Sequence, residues 1–208
     1  EAGRNGATLA RLALAMDESA ITDWAFPGRG LIRGEALARY VRDQTGGKLI
    51  EQLQLPLGIV ATDLGNGDSM LFRRGDTGLA VRASSAIPAL FQPVRIGGRE
   101  YVDGGLVAPV PVRFARDMGA DLVIAVDISS APQTGGVDGM LQVLMQTFSI
   151  MSKSINALEL HGADVVVRPV LKDIGSADFT ARRRSIEAGR VAMLAALPAL
   201  RAQLARLE

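Results

Sequence analysis

Hydrophobic and polar positions along the chain form blocks that predict strands and helices in turn. Three short apolar runs, at residues 57–62, 121–128 and 163–170, have the pattern of buried strands, and the near-continuous run 121–128 predicts a sheet covered on both faces. Between them, apolar residues recur at helical spacing. This order predicts an α/β fold, a three-layer sandwich in which helices flank a mostly parallel central sheet.

Capping residues, glycines and prolines mark where the predicted helices begin and end. Asp76 or Thr77 is expected to cap a helix that ends before Pro88. Pro198 is expected to bend or break the last helix. We expect helices over residues 9–15, 34–44, 79–86, 111–118, about 137–160 and 180–208.

Two glycines, Gly97 and Gly98, separate the runs 93–96 and 99–102 and predict a hairpin whose turn needs positive φ. Asp103 then lies at the carboxyl end of the returning strand. Two other aspartates also occupy strand ends: Asp63 comes directly after the predicted strand 57–62, and Asp127 lies near the end of the predicted strand 121–128. Because ligands of parallel sheets bind outside the carboxyl ends of the strands, all three are candidate site residues.

Asp103 differs from the other two aspartates in its C-terminal neighbours. Gly104 and Gly105 allow a second backbone or a substrate to approach the carboxylate, and residues 106–110 are mainly apolar. An apolar site raises the pKa of a carboxyl group toward the range of a general base. Asp63 precedes a glycine-rich turn, where an aspartate commonly accepts backbone N–H bonds, and Asp127 is expected to orient a loop.

Composition narrows the classes of function. The 208 residues are 48% hydrophobic with a net charge of +1, so one α/β domain over residues 1–208 is expected and a nucleic-acid partner is not. The chain has no cysteine, which excludes disulfides and thiolate chemistry, and the sequence implies no metal or organic cofactor. No apolar run approaches the roughly 18 residues of a membrane span and no signal peptide is visible, which favours a cytoplasmic location. The oligomeric state is left open.

Other motifs have simpler explanations. A GDSM stretch at residues 67–70 is similar to the motif of GDSL esterases but lacks the downstream Asp-x-x-His that those enzymes need. GRGLIRG at 28–34 resembles a nucleotide-binding glycine loop, but such a loop must follow a strand and the residues before it predict a poor one. His161 is expected at a helix end. Arg182–Arg184 is expected to be a solvated helix face, or else a contact for anionic headgroups or a partner. The methionine-containing segment 140–160 is either a helix packed on the sheet or an acyl-chain wall.

Six segments of the sequence carry a family resemblance when they are taken together. They are GRGLIRGEAL (28–37), GIVATDL (58–64), RASSAIPALFQPV (82–94), GGREYVDGGLVAPVPV (97–112), GADLVIAVDIS (119–129) and SIEAGRVAM (185–193). These segments resemble bacterial patatin-like phospholipases, the wider group that includes neuropathy target esterase. The resemblance covers essentially the whole chain, and DGG after ASSAIPALFQPV at this spacing is its most specific part.

The resemblance implies a serine acyl hydrolase that uses a Ser–Asp dyad on ester-linked acyl lipids. Asp103 matches the aspartate of the family's D-G-[AG] motif and is the expected general base, while Gly104 and Gly105 shape its approach. The segment from Ser84 to Pro93, with Ser84, Ser85 and Pro88, is expected to buttress the site. Peripheral contact with a membrane surface is also expected.

One family motif, G-x-S-x-G, does not occur in these 208 residues, nor does the glycine-rich oxyanion loop that precedes it. The resemblance implies that both lie upstream of residue 1, so the domain is expected to be incomplete at its N-terminus. This polypeptide alone is then expected to have little activity. The alternative is a non-catalytic patatin-like module that binds lipid or a partner.

Overall fold

The computed structural model describes residues 2–25, 29–129, 139–172, 174–175 and 178–207. The chain divides into two compact units, Glu1–Ala108 and Pro109–Glu208. Both contain helices and strands, and their strand pairs are parallel in some places and antiparallel in others. The α/β class predicted from the sequence is confirmed.

The first unit begins with helix α1 and strand β1 and ends with strand β6. The carboxylate of Asp76 accepts the N–H of Leu79 at 2.6 Å and so caps α3, as its position predicts. Gly46 ends α2 in the left-handed conformation, with φ 65°. The elements are α1 (Gly6–Ala15), β1 (Gly30–Ile32), α2 (Glu35–Thr45), β2 (Ile59–Asp63), β3 (Ser69–Phe72), α3 (Thr77–Ser84), β4 (Ala89–Phe91), β5 (Val94–Ile96) and β6 (Arg99–Asp103).

The main sheet of this unit has the order β3-β2-β6-β5, and all three of its strand pairs are antiparallel. This departs from the expected mostly parallel arrangement. Short turns join β2 to β3 and β5 to β6, and a short turn can connect only antiparallel neighbours. Parallel pairing in this unit is found between β1 and β4.

The core of the first unit lies between the main sheet and α3. Both faces of β2 are buried, and the rings of Phe72 and Tyr101 meet edge to face with centroids 5.2 Å apart. On the helix side the residues are small, so α3 can lie close to the strands. The buried cluster consists of Ile50, Ile59, Ala61, Phe72, Ala80, Ala83, Ala86, Val94 and Tyr101.

The second unit contains a parallel strand pair in a β-α-β order. Its register pairs Ile124 with Val165. Along the first strand Ala125 is buried, whereas Ile124 and Val126 are exposed, so the prediction of burial on both faces is wrong here. The elements are α4 (Val112–Asp117), β7 (Ile124–Val126), α5 (Met140–Glu159), β8 (Val165–Val167) and α6 (Arg182–Leu204).

Two predicted features of the helices in this unit can be compared with the structure. The expected start of the α5 helix near residue 137 lies outside the described residues, which resume at 139. Helix α6 continues through Pro198, so the proline does not break it. Proline lacks an N–H and costs one intrahelical hydrogen bond, which the rest of a 23-residue helix tolerates here.

Candidate active site

The backbone of Asp103 is held from three directions. Gly97 and Gly98 make the β5–β6 turn with φ 57° and 82°, which sets the register of β6 against β5, and on the other side of β6 Asp103 pairs with Ala61 of β2. The Asp103 N–H donates to the carbonyl of Ala86 at 3.0 Å. Its carbonyl accepts the buried hydroxyl of Thr62 at 2.7 Å. The predicted place of Asp103, at the carboxyl end of a strand, is therefore correct.

The side chain of Asp103 is half-buried, and its Oδ1 accepts the N–H of Gly105 at 2.6 Å. Burial raises the pKa of the Asp103 carboxyl above its usual range, and the Gly105 N–H bond partly opposes the rise. Among the described residues it has no ion-pair partner. The group is thus a partly desolvated carboxyl with a raised affinity for a proton.

The two glycines after Asp103 serve different physical needs. A Cβ on Gly104 would lie 2.2 Å from the carbonyl oxygen of Val60, so this glycine lets a second backbone approach closely. A Cβ on Gly105 would lie 3.0 Å from Oδ1 of Asp103. Gly104 is therefore required by packing against β2, and Gly105 leaves room beside the carboxylate.

The expected buttress segment touches Asp103 through a residue that the sequence did not single out. Ser84 is the last residue of α3 and Ser85 is its C-cap, while the hydrogen bond to Asp103 comes from Ala86. After Pro88, Ala89 has φ 67°, in the left-handed region that favours glycine. Only the backbone carbonyl of Ala86 is used, so no side-chain signal could have identified it.

The other two candidate aspartates have structural partners. Oδ1 of Asp63 accepts the Gly65 N–H at 2.8 Å and Oδ2 binds Arg99 at 2.9 Å, so this N–H and then Arg99 hold the pKa of Asp63 below its usual range. Asp63 and Asp103 end strands β2 and β6, which are antiparallel, so they lie at opposite ends of that ladder. The single ligand-binding edge expected from a parallel sheet does not include both of them.

Asp127, in the second unit, orients the residues after β7, as expected. Its Oδ1 accepts both the N–H and the hydroxyl of Ser129, and Arg168 lies 3.2 Å from Oδ2. Burial acts to raise the pKa of Asp127, but the bonds from Ser129 and Arg168 outweigh it and the pKa is lowered. This carboxylate is committed to local structure.

Two of the minor motifs have structural roles in the first unit. In GRGLIRG, whose Gly28 lies outside the described residues, Gly34 donates its N–H to Asp23 at 2.6 Å. An internal carboxylate therefore occupies a position that a bound phosphate would need. In the GDSM stretch, Ser69 begins β3 directly after the turn.

The remaining motifs belong to the helices of the second unit. His161 lies in the short helix Leu160–Gly162 directly after α5, as expected. Arg183 and Arg184 are exposed, whereas Arg182 is half-buried with its guanidinium over the ring of Phe179. On α5, Met140 and Leu158 are 90% and 77% exposed, and the acyl-chain wall stays a prediction.

Within the described ranges, no group of three or more His, Cys, Asp or Glu side chains is arranged to hold a metal ion. In the same part of the chain, no helix combines the length and apolar character that crossing a bilayer requires.

Comparison with known proteins shows which protein family this chain belongs to. A sequence model of patatin-like phospholipases matches residues 5–116, a range that includes Asp103 and both glycines after it. The chain belongs to the patatin-like phospholipase family. The resemblance stated from the motifs is therefore confirmed.

Relatives of this patatin-like chain come from the neuropathy target esterase (NTE) group, as predicted. It is 36% identical over 138 residues to an uncharacterized NTE family protein of Mycobacterium tuberculosis (strain ATCC 25618 / H37Rv), covering 66% of this chain and 38% of that protein. A second uncharacterized NTE family protein of that strain is 33% identical over 205 residues, with 85% and 35% covered. Patatin-like phospholipase domain-containing protein 6 of Mus musculus is 31% identical over 116 residues, with 55% and 9% covered. The chain spans little more than a third of the length of the mycobacterial relatives.

Proposed function

We propose that this chain carries the general base of a serine acyl hydrolase that cleaves ester-linked acyl lipids. Asp103 is that base. The observation that carries the proposal is the half-buried carboxyl of Asp103, which has a raised pKa and no counter-charge among the described residues. Membership of the patatin-like phospholipase family supports the substrate class.

The chemistry needs one proton to move twice. The Asp103 carboxylate accepts the proton of a serine hydroxyl while the serine oxygen attacks the ester carbonyl carbon. The protonated carboxyl then gives that proton to the departing alkoxide as the acyl–oxygen bond breaks. A water molecule, activated by the same carboxylate, releases the acyl group from the serine. A raised pKa brings the carboxyl closer to the range in which both transfers are efficient.

The proposed mechanism also needs a serine nucleophile, which we do not assign to any of the described residues. We propose that a G-x-S-x-G serine and its oxyanion donors are supplied from the N-terminal side of Glu1. The 208-residue polypeptide alone would then hydrolyse its substrate slowly. The reason is that the base, the nucleophile and the oxyanion donors act as a unit.

The second candidate function is a non-catalytic patatin-like module that binds lipid or a protein partner. It is favoured by one observation, the absence of G-x-S-x-G from this sequence. The two functions differ in whether Asp103 matters for turnover or only for structure.

The test uses the protein expressed with the coding sequence that precedes Glu1 and a short-chain p-nitrophenyl ester. Asp103→Asn should lower kcat by about 10²–10⁴-fold, the usual range for loss of a general base. Asp63→Asn is the matched control, because Asp63 also ends a strand and accepts a glycine N–H. Its kcat should change far less.

Circular dichroism on both variants separates loss of chemistry from loss of fold. Equal turnover in the Asp103→Asn variant and the unsubstituted protein would refute the role of Asp103. Absence of turnover in the unsubstituted protein, with vesicle or ligand binding retained, would favour the non-catalytic module.

A further inference from the structure

Helix α6 presents one side to solvent along its whole length. No residue of this 23-residue helix is fully buried, and its half-buried positions recur at helical spacing on one side. The opposite side is exposed. It carries Arg183, Arg184, Glu187, Arg190, Val191, Leu194, Ala195, Pro198, Ala199, Arg201 and Ala202, which we call the outer face of α6.

The outer face is apolar in its middle and basic towards both ends. Val191 and Leu194 are 53% and 50% exposed, and Pro198 lies beside them on the same side. Arg183 precedes this apolar centre and Arg201 comes after it, and both side chains are exposed. At a lipid–water interface, exposed aliphatic side chains can enter the acyl boundary while the stems of arginines beside them extend to the headgroups.

Charge is unevenly distributed between α6 and the rest of the chain. The helix holds five arginines and one glutamate, a net charge of +4, whereas the whole chain carries +1. The remainder is therefore net −3. Glu187 is paired with Arg190. Arg183 and Arg201 have no ion pair among the described residues.

We propose that the outer face of α6 binds the surface of an anionic lipid bilayer. Val191 and Leu194 enter the boundary between headgroups and acyl chains. The aliphatic stems of Arg183 and Arg201 lie alongside them, while the guanidinium groups stay level with the lipid phosphates. The apolar centre distinguishes this surface from a nucleic-acid site, since a phosphate backbone offers no apolar phase for Val191 and Leu194.

The proposal does not depend on Asp103 or on hydrolysis, because it concerns binding to a surface and involves only the second unit. It supplies a physical reason for a patatin-like chain to act at an interface: docking through α6 would raise the local concentration of lipid. Each arginine near an anionic membrane surface contributes attraction equivalent to about fivefold in partitioning.

The test is co-sedimentation of the protein with vesicles of phosphatidylcholine alone and with vesicles that also contain phosphatidylglycerol. Partitioning should be stronger on the anionic vesicles and should weaken as salt is raised. The double variant Arg183→Gln with Arg201→Gln should lower partitioning on anionic vesicles by roughly thirtyfold. Val191→Gln with Leu194→Gln should lower it on both vesicle types.

The matched control is Arg39→Gln with Arg73→Gln. These arginines are also exposed and also lack ion pairs among the described residues, and they lie outside α6. The control should bind nearly as the unsubstituted protein does, and circular dichroism should show that all variants keep their helical content. The proposal would be overturned if the control lost as much partitioning as the Arg183→Gln/Arg201→Gln variant. Equal binding of the unsubstituted protein to neutral and anionic vesicles would also overturn it.

One further variant separates this proposal from the enzymatic one. Asp103→Asn should partition on vesicles like the unsubstituted protein even though it is expected to lose turnover. Binding without turnover in the unsubstituted protein would leave the lipid-binding surface in place and count only against the hydrolase. Displacement of vesicles by an acidic protein would instead indicate a protein partner for the outer face.

Discussion

Asp63 and Asp103 end two neighbouring strands and share one local motif. In both, Oδ1 accepts the N–H of the glycine two residues later, at 2.8 and 2.6 Å. Asp63 also binds Arg99, and its pKa is lowered, whereas the pKa of Asp103 is raised. Asp63 is itself only 6% exposed, so low exposure alone does not decide the difference. Burial raises the pKa of Asp103, whereas the Gly65 N–H and then Arg99, a cation from another strand, hold that of Asp63 down. Asp63 is thereby committed to structure, and Asp103 is the carboxyl for which we propose proton transfer.

The residue in the middle of each motif extends the comparison. Leu64 comes after Asp63 and is 45% exposed. Gly104 comes after Asp103 and is buried against the backbone of Val60. The same aspartate–glycine spacing therefore accepts a large side chain after β2, where that side chain is exposed to solvent, and only glycine after β6, where the backbone of another strand lies close by.

The largest effect on stability is expected at Gly104. Gly104→Ala would place a Cβ 2.2 Å from the Val60 carbonyl oxygen, so β2 or β6 must shift. Overpacking of this kind costs about 1–3 kcal/mol of unfolding free energy, and steric conflict with backbone should give the upper end. Chemical denaturation followed by circular dichroism measures it.

Leu64→Ala is the matched control for Gly104→Ala, because it changes the same position of the other motif. An exposed side chain there should alter the unfolding free energy by no more than about 0.5 kcal/mol. If both variants were equally stable, the close approach of Gly104 to Val60 would not explain the first glycine of the motif.

How far the sequence predicts the structure can be judged from these two aspartates. The strand end before Asp103 and the glycine turn before its strand are consequences of local patterns, and both are confirmed. The antiparallel ladder that separates Asp63 from Asp103, and the pairing of Asp63 with Arg99, join residues about forty positions apart. Residue patterns carry no signal for such pairings, so the expected shared edge was wrong.

The contact of Ala86 with Asp103 shows the same limit on a smaller scale. Its carbonyl accepts a backbone N–H, and any residue type could provide that oxygen. The family motif ASSAIPALFQPV nevertheless predicted that this segment lies near Asp103. A resemblance can place a segment whose contacts the residue types alone cannot predict.

A smaller loss of stability is expected at Thr62, whose buried hydroxyl donates to the Asp103 carbonyl. Thr62→Val keeps the shape and removes the donor, which should cost about 1 kcal/mol. Thr62→Ser, which keeps the hydroxyl, should retain the hydrogen bond but lose one methyl group. Hydrogen exchange at the Asp103 amide reports whether the strand end loosens, and unchanged exchange in Thr62→Val would show that the hydroxyl does not hold it.

The smallest effect, and the most direct test of the comparison, is the order in which the two carboxyl groups titrate. Carbon-13 NMR of the aspartate carboxyls should show Asp103 taking up its proton first as the pH falls, because its pKa is raised and that of Asp63 is lowered. Arg99→Gln should move the Asp63 midpoint upward and leave that of Asp103 in place.

The two carboxyl groups affect the pH dependence of the unfolding free energy with opposite signs. Asp63 stabilises the fold above the ordinary aspartate pKa, and that contribution is lost as the pH falls through its lowered pKa. Asp103 binds its proton more tightly when folded, so its contribution is present below the ordinary pKa and is lost as the pH rises through the raised one. Asp103→Asn should remove that second slope from the pH dependence of unfolding, whereas Asp63→Asn should remove the first. An Asp103 midpoint at or below that of Asp63 would mean that the two carboxylates do not differ in the way their surroundings require.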